Sequence, residues 1–339
     1  MRVRPASLAR GRVKALCRRG LDADAFRRGL RTPLRDVIAF DAYCMNTADP
    51  ATLEVTSSVG DGLTGAEAAR LFAIEHAGQD VHPLRELARA ACPVATIGDR
   101  PERSERMREL FLPRGWRDEL RAALVERGRC WGYLHLFRAT PFTRSDVAAV
   151  VHLVPSLAFA LREAVRRSPP RAARAAPGVV VVGAGGEVRA ATRAGARMLA
   201  SIPRDPSLGG PPHAIVAAAA GALAADAVRE VTVMTPGGVL RIAASAEGSV
   251  AVLMLDGARH RDVTSLVLAA HRLSPREEEV CGAMLRGSTD DEIGLALGIG
   301  TQTAKTHAKS AFAKLGVRGR GGLLSLVDGL DGLERRPAE

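Results

Sequence analysis

The chain has 339 residues, 47% hydrophobic and 25% charged; this is ordinary globular usage that excludes a wholly disordered protein and, at roughly 100–200 residues per domain, points to two or three domains. Five scattered cysteines without a C-x-x-C pair exclude a disulfide-held scaffold, give no zinc or redox site, and fit a reducing compartment. The net charge of +11 invites a nucleic-acid partner, but residues 1–31 hold ten Arg or Lys against two Asp, so the total does not locate a binding surface.

From Leu8 to Ile38 the pattern is helical, and its basic run reads as the solvated face of an amphipathic helix. Short strands are expected at 40–46, 53–59, 94–99, 119–126 and 129–138. The last two are joined by a turn at Arg127-Gly128 and alternate through Leu120, Ala122, Leu124 and then Trp131, Tyr133, His135, Phe137. A long helix is expected from Arg144 to Arg167. No stretch reaches the roughly 18–20 apolar residues of a membrane span, since His152, Pro155, Arg162 and Glu163 break the best long segment and Asp226 the alanine-rich one. The first thirty residues lack the apolar core of a secretory signal, so a cytoplasmic protein with no membrane partner is expected.

Residues 168–177 are a linker by their Pro/Ala/Arg composition. Beyond it, residues 179–182 and 188–191 read as a hairpin around Gly183-Ala184-Gly185-Gly186. Helices at 194–200 and 214–225 follow, then strands at 230–235, 239–244 and 249–256. The glycine turn resembles a dinucleotide-binding fingerprint, but Val188 occupies the third glycine position and prolines fill the region where an acid-ended parallel strand should follow.

In the last seventy residues, Ser274-Pro275-Arg276-Glu277 and Thr289-Asp290-Asp291-Glu292 are capping boxes that open two helices. Gly298-Ile299-Gly300 is a tight turn, and a third helix spans about 301–315. Its apolar stripe is Ala304, Ala308, Ala311, Phe312 and Leu315; Gln302, Lys305, Thr306 and Lys309 share the opposite face. Three of the four lysines of the chain fall here, and residues 301–320 carry five cations and no acid. Lysine neutralises phosphate or reaches guanine acceptors and glutamine can read adenine, as a recognition helix requires.

Residues 273–327 resemble the LuxR-type helix-turn-helix, through Leu273-Ser274-Pro275-Arg276-Glu277, Glu292-Ile293, Thr303-Ala304-Lys305-Thr306-His307 and Lys314-Leu315-Gly316-Val317. The resemblance implies DNA contacts by Lys305, Thr306 and Lys309, with Gln302 and Thr303 as further phosphate or base-edge contacts. It also implies a fourth helix over 319–333, bearing Leu323, Leu326, Val327 and Leu330, that pairs two subunits into a homodimer. The sequence departs from the family at Ala304, Gly300, Asp291 and Gly294. The words Trp131-Gly132-Tyr133-Leu134-His135-Leu136 and Phe142-Thr143-Arg144-Ser145-Asp146 resemble the last strand and helix of GAF domains. Residues 178–262 resemble a PAS-like fold, with Thr192 where such domains often carry Asn.

The expected fold is multidomain α+β. It comprises a GAF-like sensory domain over 5–167, the linker 168–177, a PAS-like domain over 178–262, and an all-α four-helix LuxR-type helix-turn-helix over 271–335. The expected function is a DNA-binding transcriptional regulator, reading the major groove under control of domains that sense a small-molecule effector or a partner. No catalytic set, cofactor or metal site is expected. There is no Walker A lysine, and no lysine between residues 15 and 304 to serve a receiver domain. Two other readings stand beside it: a nucleotide-dependent enzyme using the glycine turn or a GAF pocket, and an interaction module whose helix-turn-helix has degenerated. His135 reads as a core or pocket-wall residue, and Tyr43, Trp116 and Trp131 as core or as walls of a ligand cavity.

Overall fold

The basic N-terminal stretch folds as two helices, α1 (Ala6–Cys17) and α2 (Ala23–Arg35), where a single helical pattern was expected. Asp22 interrupts it by accepting from Ala25 N at 2.8 Å and so capping α2. The computed structural model describes residues 6–328, except Gly62, 168–171, 174–175 and Asp226; Leu330 of the expected fourth helix lies outside the described residues. Arg12, Arg28 and Arg31 are partly exposed and meet Asp36, Asp205 and Asp61. Arg27 is an exception to the expected solvated basic face, because it is 1% exposed. Its guanidinium reaches the carbonyls of Ala23, Met45 and Ser57, the Ser57 hydroxyl and Asp24, which is what a buried charge requires.

The first sheet holds β1 (Ala42–Ala48), β2 (Val55–Gly60), β3 (Val94–Thr96), β4 (Asp118–Glu126) and β5 (Arg129–Arg138) in the order β2-β1-β5-β4-β3, all antiparallel. Between β2 and β3 lie α3 (Gly65–Ala77), opened by a Thr64/Glu67 capping box, and the short α4 (Leu84–Leu87); neither was anticipated. Helix α5 (Arg144–Arg167) covers β3, β4 and β5, burying Val150, Leu153, Val154, Leu157 and Leu161. By length and composition α5 is apolar enough to cross a membrane, contrary to expectation. Arg162 does not interrupt it as a free charge, since it pairs with Glu126 at 2.7 Å and Glu163 at 2.9 Å, and the buried stripe is that of a sheet-covering core helix.

The second sheet repeats the first sheet's strand order. It consists of β6 (Gly178–Gly183), β7 (Val188–Ala191), β8 (Arg229–Thr235), β9 (Gly238–Glu247) and β10 (Val250–Gly257), arranged β7-β6-β10-β9-β8. Gly186 N donates to Gly183 O at 2.9 Å and β6 runs antiparallel to both its neighbours. This is a hairpin, and a dinucleotide fingerprint needs a parallel crossover. Thr192 caps α6 (Arg193–Ser201) by accepting from Gly195 N.

The alanine-rich α7 (His213–Ala225) is buried nearly all round because it serves two cores. Val216, Ala217 and Ala220 pack with Ala68, Ala69 and Phe72 of the first block. Ile215, Ala218, Ala219 and Ala222 pack with Leu240, Ile242 and Leu253 of the second. Small side chains on both faces let the flanking layers close on it at native density. Residues up to Arg167, with Ala173–Gly257, therefore form one compact unit. Thr232, donating to Asp49 at 2.6 Å, ties the blocks further.

A second unit includes the chain from Ala258 onward, and beyond Ala258 its elements among the described residues are all helices. It contains α8 (His260–Ala270), not anticipated, then α9 (Pro275–Leu285), α10 (Asp290–Leu297), α11 (Thr301–Leu315) and α12 (Gly319–Asp328). Its core gathers Leu273, Val280, Met284, Ile293, Leu315 and Leu323. Two antiparallel five-stranded sheets followed by a helical C-terminal unit are the α+β arrangement expected of this sequence.

Candidate nucleic-acid interface

Local signals build this unit. Glu277 N donates to Ser274 Oγ at 3.3 Å while the Glu277 carboxylate accepts from Ser274 N at 2.6 Å; Thr289 and Glu292 repeat the exchange at 3.3 and 2.7 Å. Gly298 ends α10 in the left-handed region at φ 64°. A Cβ on Gly294 would lie 2.9 Å from the Ile299 carbonyl oxygen, so glycine there lets the turn fold back against α10. Gly300 supplies no side-chain cap to α11. Thr301 instead donates to Asp291 at 2.6 Å, tying the start of α11 to α10 and giving the unusual acid at 291 a structural task.

Helix α11 buries Ala304, Ala308, Ala311 and Leu315. Gln302, Thr303, Lys305, Thr306 and Lys309 are all exposed. The Thr306 hydroxyl donates to Gln302 O at 2.9 Å, which steadies that side chain against the helix. Among the described residues, Lys305 and Lys309 have no acidic partner. Two neighbouring cations are engaged: Lys314 donates to both Glu277 oxygens at 2.6 and 2.7 Å, and Arg320 reaches Ser288 O at 2.6 Å and Asp290 at 3.3 Å. The structure thus divides the cationic segment into Lys314 and Arg320, which hold the fold, and Lys305, Lys309 and Arg318, which are exposed, the two lysines on α11 itself.

Glu277 is the pivot of the holding set, also accepting from Ser310 at 2.7 Å. Burial pushes its pKa up, but the bonds from Lys314, Ser310 and Ser274 N outweigh burial and hold it at about 2. A depressed carboxylate contributes stability that is present above its ordinary range near pH 4.5 and is lost as pH falls toward 2. Glu277→Gln is expected to cost this unit roughly 2 kcal/mol at neutral pH. In urea unfolding the gap between variant and native protein should narrow steadily below pH 4; a constant gap would assign the loss to packing alone.

In the N-terminal unit, sequence reasoning missed the main polar feature. Glu119, fully buried on β4, accepts from Arg106 at 2.7 Å, from Arg121 at 2.9 Å and pairs with His135 Nδ1 at 2.9 Å. Arg121 continues to Glu75 and Arg106 to Asp80. His135 is a buried member of this network and shares its Nε2 with Asn46 at 3.3 Å. Tyr43 is core, its hydroxyl donating to Arg27 O, and Trp131 is 2% exposed; of the aromatics singled out, Trp116 lines a cavity. All five cysteines are free, and burial pushes the Cys44 thiol up to about 12, so it stays protonated and inert. Among the described residues no group of three His, Cys, Asp or Glu is placed to hold a metal ion.

Residues 271–327 match the family described as bacterial regulatory proteins, luxR family. Over 52 residues the chain is 40% identical to the transcriptional regulatory protein MctR of Rhizobium johnstonii; the matched segment is 15% of this chain and 24% of that protein's length. Among solved structures, SdiA of Escherichia coli aligns over 97% of this chain and 99% of its own at 14% identity, with a TM-score of 0.38. The phycoerythrobilin-bound GAF domain from a cyanobacterial phytochrome aligns over 48% of this chain and 96% of its own at 13% identity, with a TM-score of 0.33.

Proposed function

From the premise that residues 271–327 form a helix-turn-helix domain of the luxR family, we propose that the whole protein is a cytoplasmic DNA-binding transcriptional regulator. It acts as a homodimer whose N-terminal GAF-like and PAS-like blocks sense a small molecule or a partner. The observation that carries this reading is the solvent face of α11. Among the described residues Lys305 and Lys309 stand there without an acidic partner beside Gln302, Thr303 and Thr306, while Lys314 and Arg320 are occupied within the domain. Two such helices entering successive major grooves would sit about 34 Å apart. A signal would act by shifting the population of dimer geometries competent for this spacing.

The departures from the family favour intact DNA binding over a degenerate domain. Ala304 is fully buried in a continuous core, and the Thr301–Asp291 bond anchors α11 where Gly300 offers no cap. The hairpin geometry of the glycine turn removes the main support for a nucleotide-dependent enzyme.

The test is the salt dependence of binding to duplex DNA. If a dimer neutralises six to ten phosphates, affinity falls by about 10³–10⁵ between 50 and 200 mM salt. A flat response would overturn the proposal.

A further inference from the structure

The N-terminal unit contains a narrow, partly open cavity of about 50 Å³ between the first sheet, α3 and the first residue of α7. Its apolar wall includes four aromatic rings, Phe72, Phe111, Trp116 and Phe137. Trp116 and Phe137 are stacked with centroids 5.1 Å apart, and Phe111 lies 4.5 Å from Phe137. Flat rings already paired in this way favour a flat aromatic guest, which can extend the stack or meet an edge.

The charges bordering the cavity are already matched. Asp61 pairs with Arg31 at 2.5 Å, Glu75 with Arg121 at 2.9 Å, and Arg121 also with Glu119 at 2.9 Å. A charged guest would lose its hydration without meeting an unpaired countercharge, which is costly. One polar atom is left over. His213, from the second block, shares its Nδ1 with Ser58 Oγ at 2.8 Å and meets the Phe72 ring edge-on with centroids 5.6 Å apart, but its buried Nε2 has no hydrogen-bond partner among the described residues. Burial lowers the His213 pKa to about 4, so the ring is neutral at ordinary pH and Nε2 can donate or accept according to the tautomer set with Ser58.

We infer that this cavity binds an uncharged aromatic molecule bearing a hydroxyl or carbonyl group, its ring among Phe72, Phe111, Trp116 and Phe137 and its polar group on His213 Nε2. Because Ser58 and the rings Phe72, Phe111, Trp116 and Phe137 belong to the first block and His213 to α7 of the second, the guest bridges the two blocks and its occupancy reports on their junction. The inference rests on reading the N-terminal unit as sensory, and it names what that unit takes.

The experiment uses the full chain and three probes with one body and different charge: benzyl alcohol, benzoate and benzylammonium, titrated by saturation-transfer NMR. Benzyl alcohol should bind saturably, and the two ions at least tenfold more weakly. His213→Phe should weaken benzyl alcohol at least fivefold and His213→Gln should restore most of it, while Leu71→Trp, which fills the cavity, should abolish binding. No saturable binding of the alcohol, equal binding of all three probes, or an unchanged affinity in His213→Phe would each overturn the inference. Duplex DNA is titrated with the same preparation. Salt-sensitive DNA binding without cavity binding overturns this inference alone, whereas absent DNA binding overturns the regulator reading beneath it.

Discussion

The double variant Lys305→Ala/Lys309→Ala should lose DNA binding by at least about 100-fold at physiological salt while keeping its helical content. Both side chains are exposed and have no acidic partner among the described residues, so their removal costs the fold little. A dimer would lose four cations, and the slope of log affinity against log salt should fall by about 3–4. Where a lysine reads guanine, sequence preference should relax at that base pair as well. Lys314→Ala is the contrasting case. It strips Glu277 of its partner, and its loss of binding should track a loss of domain stability. Equal behaviour of the two variants in thermal unfolding would contradict this division of labour.

Replacing Glu119 should produce the largest stability change in the molecule. Its carboxylate has no exposure and is shared by Arg106, Arg121 and His135. Burial alone would raise its pKa, but Arg106 and Arg121, with His135, hold it well below the usual carboxylate range. Glu119→Gln leaves two buried guanidinium groups short of charge, a change that costs roughly 3–5 kcal/mol. For a unit of this size, that lowers the melting temperature by about 10 °C. The sign with pH follows from the depressed pKa. The native protein keeps this contribution above about pH 4.5 and loses it in stronger acid, so the gap between variant and native protein should close as the solution is acidified. Because the helical C-terminal unit begins only at Ala258, calorimetry should shift the N-terminal transition and leave the other in place. A shift of both, or of neither, would contradict the assignment.

What could be read from the sequence was local. The capping boxes at Ser274 and Thr289, the Gly298 turn and the alanine stripe of α11 are set by neighbours within a few residues, and each stands where the pattern placed it. The second sheet was legible for the same reason, since its strands are short and, β7 to β8 apart, joined by tight glycine-bearing turns. What escaped depends on distant partners. Glu119 and Arg121 sit two apart on β4 and look like the wet face of an alternating strand; only the sheet register, which sets Arg121 opposite His135 and Glu119 opposite Phe137, reveals a buried polar row. Arg27 looked like one more surface arginine because the carbonyls that receive it come from β1 and β2. Helix α3 carries a weak apolar pattern since its Ala68 and Ala69 face the alanines of α7, and small-on-small packing leaves little periodic signal. His213 was unremarked because the cavity it closes is built from residues between Cys44 and Phe137, distant in sequence from it.

Whether the lysine face of α11 reads DNA is decided by genome-wide mapping of the DNA bound by the native chain. The expected result is a reproducible set of sites sharing a two-fold symmetric motif, with half-sites one helical turn apart, that disappears in Lys305→Ala/Lys309→Ala. A map without a shared motif, or one that the double variant reproduces, would contradict it.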